Sequence, residues 1–384
     1  MLGKLAEVKV SHMQVARLTQ ETGEELINEQ AQQVELHRRR ELPVENETPV
    51  EIACVEVDGG RIRTRAAQAG PGVHDEQWKE SKVGCLWRMS GPTFEEDPHP
   101  LPPRSFLDQK HVYKMAREIK NAKLPEGTTA LERDSGSATV SAAPAEREKK
   151  KEREWPPQRE FRTVVATLGD VNEFGALVAA EAQRRGFYYA GRQVFLGDGD
   201  HKNWSVHKTH FPHFTAITDF VHVVGYVFQA ATAVTSSVAA QWEQYLAWMT
   251  DCWQGRVDQV LSDLREWGAR LGPPSNKEDA ADPAAVIART LTYLGNNAPR
   301  MNYPAYRRLG LPITSCLVES LIKQINARVK ATDKFWNRPA GAEAILRVRA
   351  ALLSDDDRLS RHFQTRTGRV SSRRRSRDMA PARE

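Results

Sequence analysis

Two aspartates, Asp58 and Asp198, each close a short apolar run and precede a glycine. A side chain at the end of a strand projects past the sheet edge, and the glycine lets the backbone turn away so that a ligand can approach. Carboxylate oxygens in that position suit small, hard divalent cations. Asp-Gly is equally the commonest chemistry of a plain turn, so neither residue decides the matter alone. Glu319 is a third candidate, in a stretch of helical spacing where Glu319, Lys323, Asn326 and Lys330 share one face. Such a face can also be simply solvated, with a Glu–Lys pair worth a few tenths of a kcal/mol.

Five of the eleven histidines fall within residues 201–222 (His201, His207, His210, His213 and His222). Pro212 interrupts any helix carrying the three spaced at 207, 210 and 213, and no carboxylate or thiolate completes a tetrahedral zinc set. Phosphate contacts or packing account for them better. Trp242, Trp253 and Trp267 lie on one helical stripe and read as core. Trp248 lies off that stripe and is the candidate for stacking on unpaired bases. The four cysteines are scattered without a CxxC pair, which speaks for free thiols in a reducing compartment.

The formal charge of +5 over 384 residues is local. Residues 361–384 hold eight arginines against two acids, so the rest of the chain is close to neutral and whole-chain basicity argues for no partner. That tail could neutralise phosphates without reading sequence. No apolar stretch followed by a cleavage site stands at the N-terminus, and the uncharged stretch 223–241 is interrupted by Gln, Thr and Ser. A secretory leader and a membrane span are therefore not expected.

The elements that must position the acids follow from periodicity. Ser11 and Gln14 form a capping box, predicting a helix start, with a second helix over residues 24–36. A β-branched run over 52–57 resumes at Ile62 and Thr64, predicting a hairpin at Gly59-Gly60, and 83–87 reads as a third strand. Residues 126–160 turn to Ser, Ala, Gly, Pro and a charge run. A helix over 171–185, strands over 193–196 and 214–218, and one long helix carrying an apolar stripe from Trp242 to Trp267 follow. Pro283 suits the first turn of a further helix. A mixed α/β sheet is the expected class.

Taken in chain order, VEVDGG (55–60), WKESKVG (78–84), VFLGDGDHKNW (194–204), HFPHFTAITDFVH (210–222) and LPITSCLVES (311–320) resemble bacterial insertion-sequence transposases of the ISKra type, in the Mutator-like group of DDE transposases. The resemblance runs from about residue 50 to residue 353 and is interrupted by 126–160. It implies an α/β fold: a ribonuclease H-like mixed-sheet catalytic core with an all-helical insertion and a short helical N-terminal region. Asp58, Asp198 and Glu319 would be the catalytic acids and hold two Mg2+ ions, with Mn2+ able to substitute. Asp219-Phe220-Val221-His222 matches the group's D/CxxH element, so Asp219 and His222 are expected to organise the site and contact DNA, His222 as a catalytic residue. Lys323, Lys330 and Trp248 are the further expected DNA contacts. Asp200 is an alternative ligand two residues beyond Asp198, and Thr314-Ser315-Cys316 stands where the group usually carries Gly-Ser-Gly.

The expected organisation is a helical region over 1–49, a shortened DNA-binding part; a first core segment over 50–125; a linker or disordered insertion over 126–160; a second core segment over 161–224; a helical insertion over 225–305; C-terminal core helices with Glu319 over 306–353; and a basic, disordered tail over 354–384. The activity implied is that of a DNA transposase, cutting element ends and joining the 3′-hydroxyl to target DNA. A homodimer or larger assembly on DNA, in the bacterial cytoplasm at the nucleoid, is expected. The alternatives are a transposase-derived DNA-binding protein that has lost cleavage, and a metal-dependent nuclease without strand transfer.

Overall fold

The computed structural model describes residues 11–45, 48–64, 77–118, 155–275, 281–315, 324–325, 329, 336 and 339–366. Helix α1 (His12–Arg38) starts at the expected capping box: Ser11 Oγ accepts from Gln14 N at 3.2 Å, and Gln14 Oε1 accepts from Ser11 N at 2.9 Å. It is one helix where two were expected. Gly23 in its middle is a packing feature and no break, because a Cβ there would lie 2.4 Å from the carbonyl oxygen of Ala344 on a later helix.

Among the described residues five strands form one sheet in the order β3-β2-β1-β4-β5. Strand β1 (Ile52–Thr64) pairs antiparallel with β2 (Gln77–Ser90), after which comes helix α2 (Gln109–Glu118). β2 in turn pairs antiparallel with β3 (Gln158–Thr167). Helix α3 (Val171–Arg184) leads to β4 (Arg192–Gly197), which runs parallel to β1. Helix α4 (His201–His210) leads to β5 (Thr215–Thr218), parallel to β4. The mixed α/β class is as the periodicity predicts. The hairpin at Gly59-Gly60 is not: both glycines lie inside β1, opposite Lys82 and Ser81. Residues 65–76, between β1 and β2, lie outside the described residues. β3 is not among the expected strands, and its first residues, 158–160, occupy the end of the expected linker.

After β5 the chain is helical: α5 (Phe220–Val234), α6 (Val238–Trp253), α7 (Val257–Leu271), α8 (Pro283–Asn297), a 3-10 turn (Ala298–Arg300) and α9 (Tyr303–Arg308). The expected single helix from Trp242 to Trp267 is two. Arg256 N donates to Asp251 O at 2.8 Å and Gly255 N to Cys252 O at 3.0 Å, with Gly255 at φ +74°. This paired closure is the usual glycine stop of a helix, and it spans the break without disturbing the apolar spacing. Pro283 does open α8, with Asp282 as its cap. Among the described residues no helix is long and apolar enough to cross a membrane.

Alternation along β1 sends Ile52, Cys54 and Ile62 to one face of the sheet, and Ala53, Val55 and Val57 to the other. The first face is covered by α5 to α8, the second by α3 and α4. Phe220, at the start of α5, is held by edge-on contacts with Phe106, Trp253 and Tyr303 at 4.9–5.1 Å between ring centres. The helical layer is thereby fixed to the end of β5, where Asp219 stands.

Two helices close the described chain, α10 (Pro339–Leu353) and α11 (Arg358–Thr365). The expected disordered tail over 354–384 is therefore corrected for residues 354–366. Arg358 meets the buried Glu181 of α3 at 2.6 Å, and His362 and Arg366 each meet Glu25 of α1 at 2.9 Å. Arg358, Arg185 and Arg184 around Glu181 overcome its burial and hold its carboxyl far below the usual range, so it stays ionised. Residues 367–384 lie outside the described residues.

Candidate active site

Strand register decides which acids meet. On β1 and β4 the last paired residues are Val57 and Gly197, and on β4 and β5 they are Gly197 and Thr218. One residue on, Asp58, Asp198 and Asp219 stand at one level across three adjacent strands, Asp58 within β1, which continues to Thr64 along β2, and the other two just past the ends of β4 and β5. They share the face of Cys54 and Ile62, because each lies an even step from a residue of that core cluster. Parallel neighbours are about 4.8 Å apart, so ionised side chains there repel one another.

Asp58 records that repulsion. Its carboxyl is pushed up to about 6, first by burial and further by the negative charges of Asp198 and Asp219; His222 and the N–H of Gly59, 2.5 Å from Oδ1, work against the rise. Asp198 Oδ1 accepts from Asn203 Nδ2 at 2.8 Å and from Asp200 N at 2.9 Å. Among the described residues no lysine or arginine pairs with either carboxylate. Two hard oxygen donors side by side without a protein counter-charge fit a divalent cation of the magnesium type.

Asp219 is enclosed by protein. It is 1% exposed, caps α5 through Val221 N at 3.1 Å, and accepts from both the N–H and the hydroxyl of Ser315. Burial raises its carboxyl above the ordinary value, against the opposing pull of His222 and the Ser315 hydroxyl. A carboxylate so enclosed cannot touch a DNA strand, which corrects that expectation. The cap also explains the spacing of the D-x-x-H element. One turn into α5, His222 comes back over its own cap, with Nε2 3.8 Å from Asp219 Oδ2.

The Asp200 carboxylate caps α4, Oδ1 accepting from Lys202 N at 2.7 Å. Trp248 is a further correction. It has no exposed surface, and its indole N–H donates to Asp263 at 3.0 Å, so it packs between helices and cannot stack on a base. Glu319, Lys323 and Lys330 lie outside the described residues. Among the described residues no three His, Cys, Asp or Glu side chains converge on one metal position. Asp58 and Asp198 thus form a pair that needs further ligands.

Several site residues carry no mark in the sequence strong enough to single them out. Glu56, two residues before Asp58 on the same face, is 1% exposed, with Oε2 accepting from Trp87 Nε1 at 2.8 Å and Oε1 unpartnered. Burial pushes its carboxyl to about 8, with the Trp87 bond opposing and Asp219 adding to the rise. A lone acid alternating with valines in VEVD is the available signal. Tyr293 and Asn297 of α8 embrace the turn after Asp198: the Tyr293 hydroxyl donates to Asp198 O at 2.8 Å, and Asn297 Nδ2 reaches Gly199 O at 3.5 Å. Nothing local in the sequence joins residues so far apart.

No protein-family model matches the chain, and no curated protein matches it.

Proposed function

We propose that the protein is a DNA transposase of the insertion-sequence type, with a ribonuclease H-like core that cuts element ends and joins the freed 3′-hydroxyl to target DNA. The observation that carries this reading is the placement of Asp58 and Asp198 at one level on adjacent parallel strands, neither with a lysine or arginine partner among the described residues. A ribonuclease H-like core takes its first and second acids from neighbouring strands, and the order β3-β2-β1-β4-β5 makes β1 and β4 neighbours. The run of helices α5 to α9 after β5 occupies the place of the helical insertion in that reading.

Glu319 completes the proposed set. Ser315, four residues before it, is hydrogen-bonded to Asp219 and so brings the chain to the row of acids. Two Mg2+ ions held by Asp58, Asp198 and Glu319 would supply an activated water or 3′-hydroxyl and cancel charge on the departing oxygen. The chain's own contribution is positioning. Asn203 and the N–H of Asp200 orient Asp198, Gly59 N–H orients Asp58, and Asp219 sets His222 facing the acids. A cation held there would also oppose the burial and the neighbouring negative charges that push the Asp58 carboxyl up to about 6.

Purified protein incubated with DNA carrying the element's ends tests the reading. Nicking in Mg2+ or Mn2+, followed by joined products, is the expected result. Asp58→Asn, Asp198→Asn and Glu319→Gln should each abolish it while leaving the fold intact. Nicking without joined products would instead identify a metal-dependent nuclease, and binding without nicking a DNA-binding protein that no longer cuts.

A further inference from the structure

A groove of about 460 Å3 opens beside the site, between α4 and the 3-10 turn Ala298–Arg300. His201, Trp204, Ser205 and Lys208 line one side of it, at positions i, i+3, i+4 and i+7, so they form a single stripe of α4. Arg300 forms the other wall. No carboxylate lines this groove. Asp200, 3.3 Å from His201 Nδ1, is engaged as the α4 cap.

The two principal cations are held in different ways. Arg300 lies over the Trp204 ring, its guanidinium carbon 4.5 Å from the centroid, and donates one N–H to Asn296 O at 3.0 Å. Among the described residues its remaining N–H groups meet no acceptor, and Lys208 has no partner at all. Trp204 is fixed from behind, its indole N–H donating to Asn297 Oδ1 at 2.8 Å. Asn297 is the residue that reaches the backbone of Gly199, so the groove wall and the turn carrying Asp198 are built on one side chain. A guanidinium held against an indole loses little further freedom when its remaining donors meet phosphate oxygens. Because Arg300 covers that ring, Trp204 is a support and not a stacking platform.

We propose that this groove binds the phosphates of a DNA strand on its way to the carboxylate row, with Lys208 and Arg300 as the sequence-independent contacts. His201 and Lys208 are seven residues apart, about 10 Å along the helix, which spans roughly three phosphates of one strand. The inference rests on the DNA-cleaving reading for the nature of the ligand, while its own content is the location and the two residues that hold the strand.

The test measures binding of the full chain to a random-sequence duplex by fluorescence anisotropy, in EDTA, from 50 to 300 mM NaCl. The double variant Lys208→Gln/Arg300→Gln should weaken binding at least tenfold at 100 mM and lower the salt slope by about two, since each phosphate no longer neutralised takes about 0.9 from it. Arg270→Gln on α7 serves as a control and should leave the slope unchanged. Lys208→Gln alone, on an exposed side chain, should lower the slope by about one and carries the test if the double variant does not fold. An unchanged slope in the Lys208 variant, or a wild-type protein that does not bind DNA, overturns the proposal. Inorganic phosphate raising the melting temperature as much as DNA does would assign the groove to a small anion, and would also overturn it. Because binding is read without metal, the two readings separate. A reduced slope with no nicking by the wild type keeps the groove and removes the cleavage reading; nicking with an unchanged slope does the reverse.

Discussion

The hydroxyl of Tyr293 donates to the main-chain carbonyl of Asp198 at 2.8 Å, so a helix ninety-five residues downstream holds the turn on which a candidate catalytic acid stands. Tyr293 is itself stacked on Tyr226 of α5, with ring centres 3.7 Å apart and planes 10° from parallel. Tyr293→Phe keeps that stack and removes only the hydrogen bond. It should cost about 1 kcal/mol in stability, measured by urea unfolding. The larger expected effect is on nicking rate at limiting Mg2+, recovered at high Mg2+, because the acid is present but less well oriented. A rate independent of Mg2+ concentration, lowered equally throughout, would contradict a positioning role.

Gly199 completes that grip. It adopts φ +96°, and a Cβ there would stand 2.5 Å from a Tyr293 ring carbon and 2.9 Å from Asn297 Nδ2. Gly199→Ala therefore meets both backbone strain and a steric clash, and should destabilise the protein by about 2 kcal/mol or more while lowering nicking beyond what unfolding explains. Thermal melting together with activity measured well below the transition checks both parts.

Glu56 and Asp58 predict the direction of the pH response. Their folded values of about 8 and about 6 lie above the ordinary 4.5 and 3.8 of these carboxyls, so the folded protein holds protons that the unfolded chain releases. Stability from this source is complete below about pH 4, declines as pH rises, and is lost once pH passes about 8. For Glu56 the full difference is on the order of 5 kcal/mol. Glu56→Gln preserves the shape and an acceptor for Trp87, and should flatten the decline between pH 6 and 8 in metal-free urea titrations. A wild-type profile that is already flat there would refute the assignment.

Trp248 separates packing from recognition. With no exposed surface and its N–H on Asp263, Trp248→Ala should cost about 3–5 kcal/mol. DNA affinity measured below the lowered transition should stay at the wild-type value.

Much of this architecture is legible in local patterns. The capping box at Ser11, Pro283 at the start of α8, the α3 helix and the β4 and β5 runs all declare themselves through caps and periodicity. The departures share a cause: a glycine has one identity in sequence and several uses in space. Gly59-Gly60 has the form of a turn and lies in a strand, because Ser81 and Lys82 continue the ladder opposite it. Gly255 is inconspicuous inside an apolar stripe, yet it ends a helix. For the site, acids that close an apolar run are recognisable one by one, while their common level depends on register between β1, β4 and β5, which no local spacing encodes. Trp248 misleads because lying off one stripe says nothing about a second helix packing there.

The most direct test of the central claim is the melting temperature of the protein at pH 7.5 with and without saturating Mg2+, compared across wild type, Asp58→Asn and Asp198→Asn. The account predicts that Mg2+ raises the wild-type transition, that the shift disappears in both variants, and that metal-free Asp58→Asn melts above the wild type because one member of a repelling row has lost its charge. An equal Mg2+ shift in all three proteins, or none in the wild type, would contradict it.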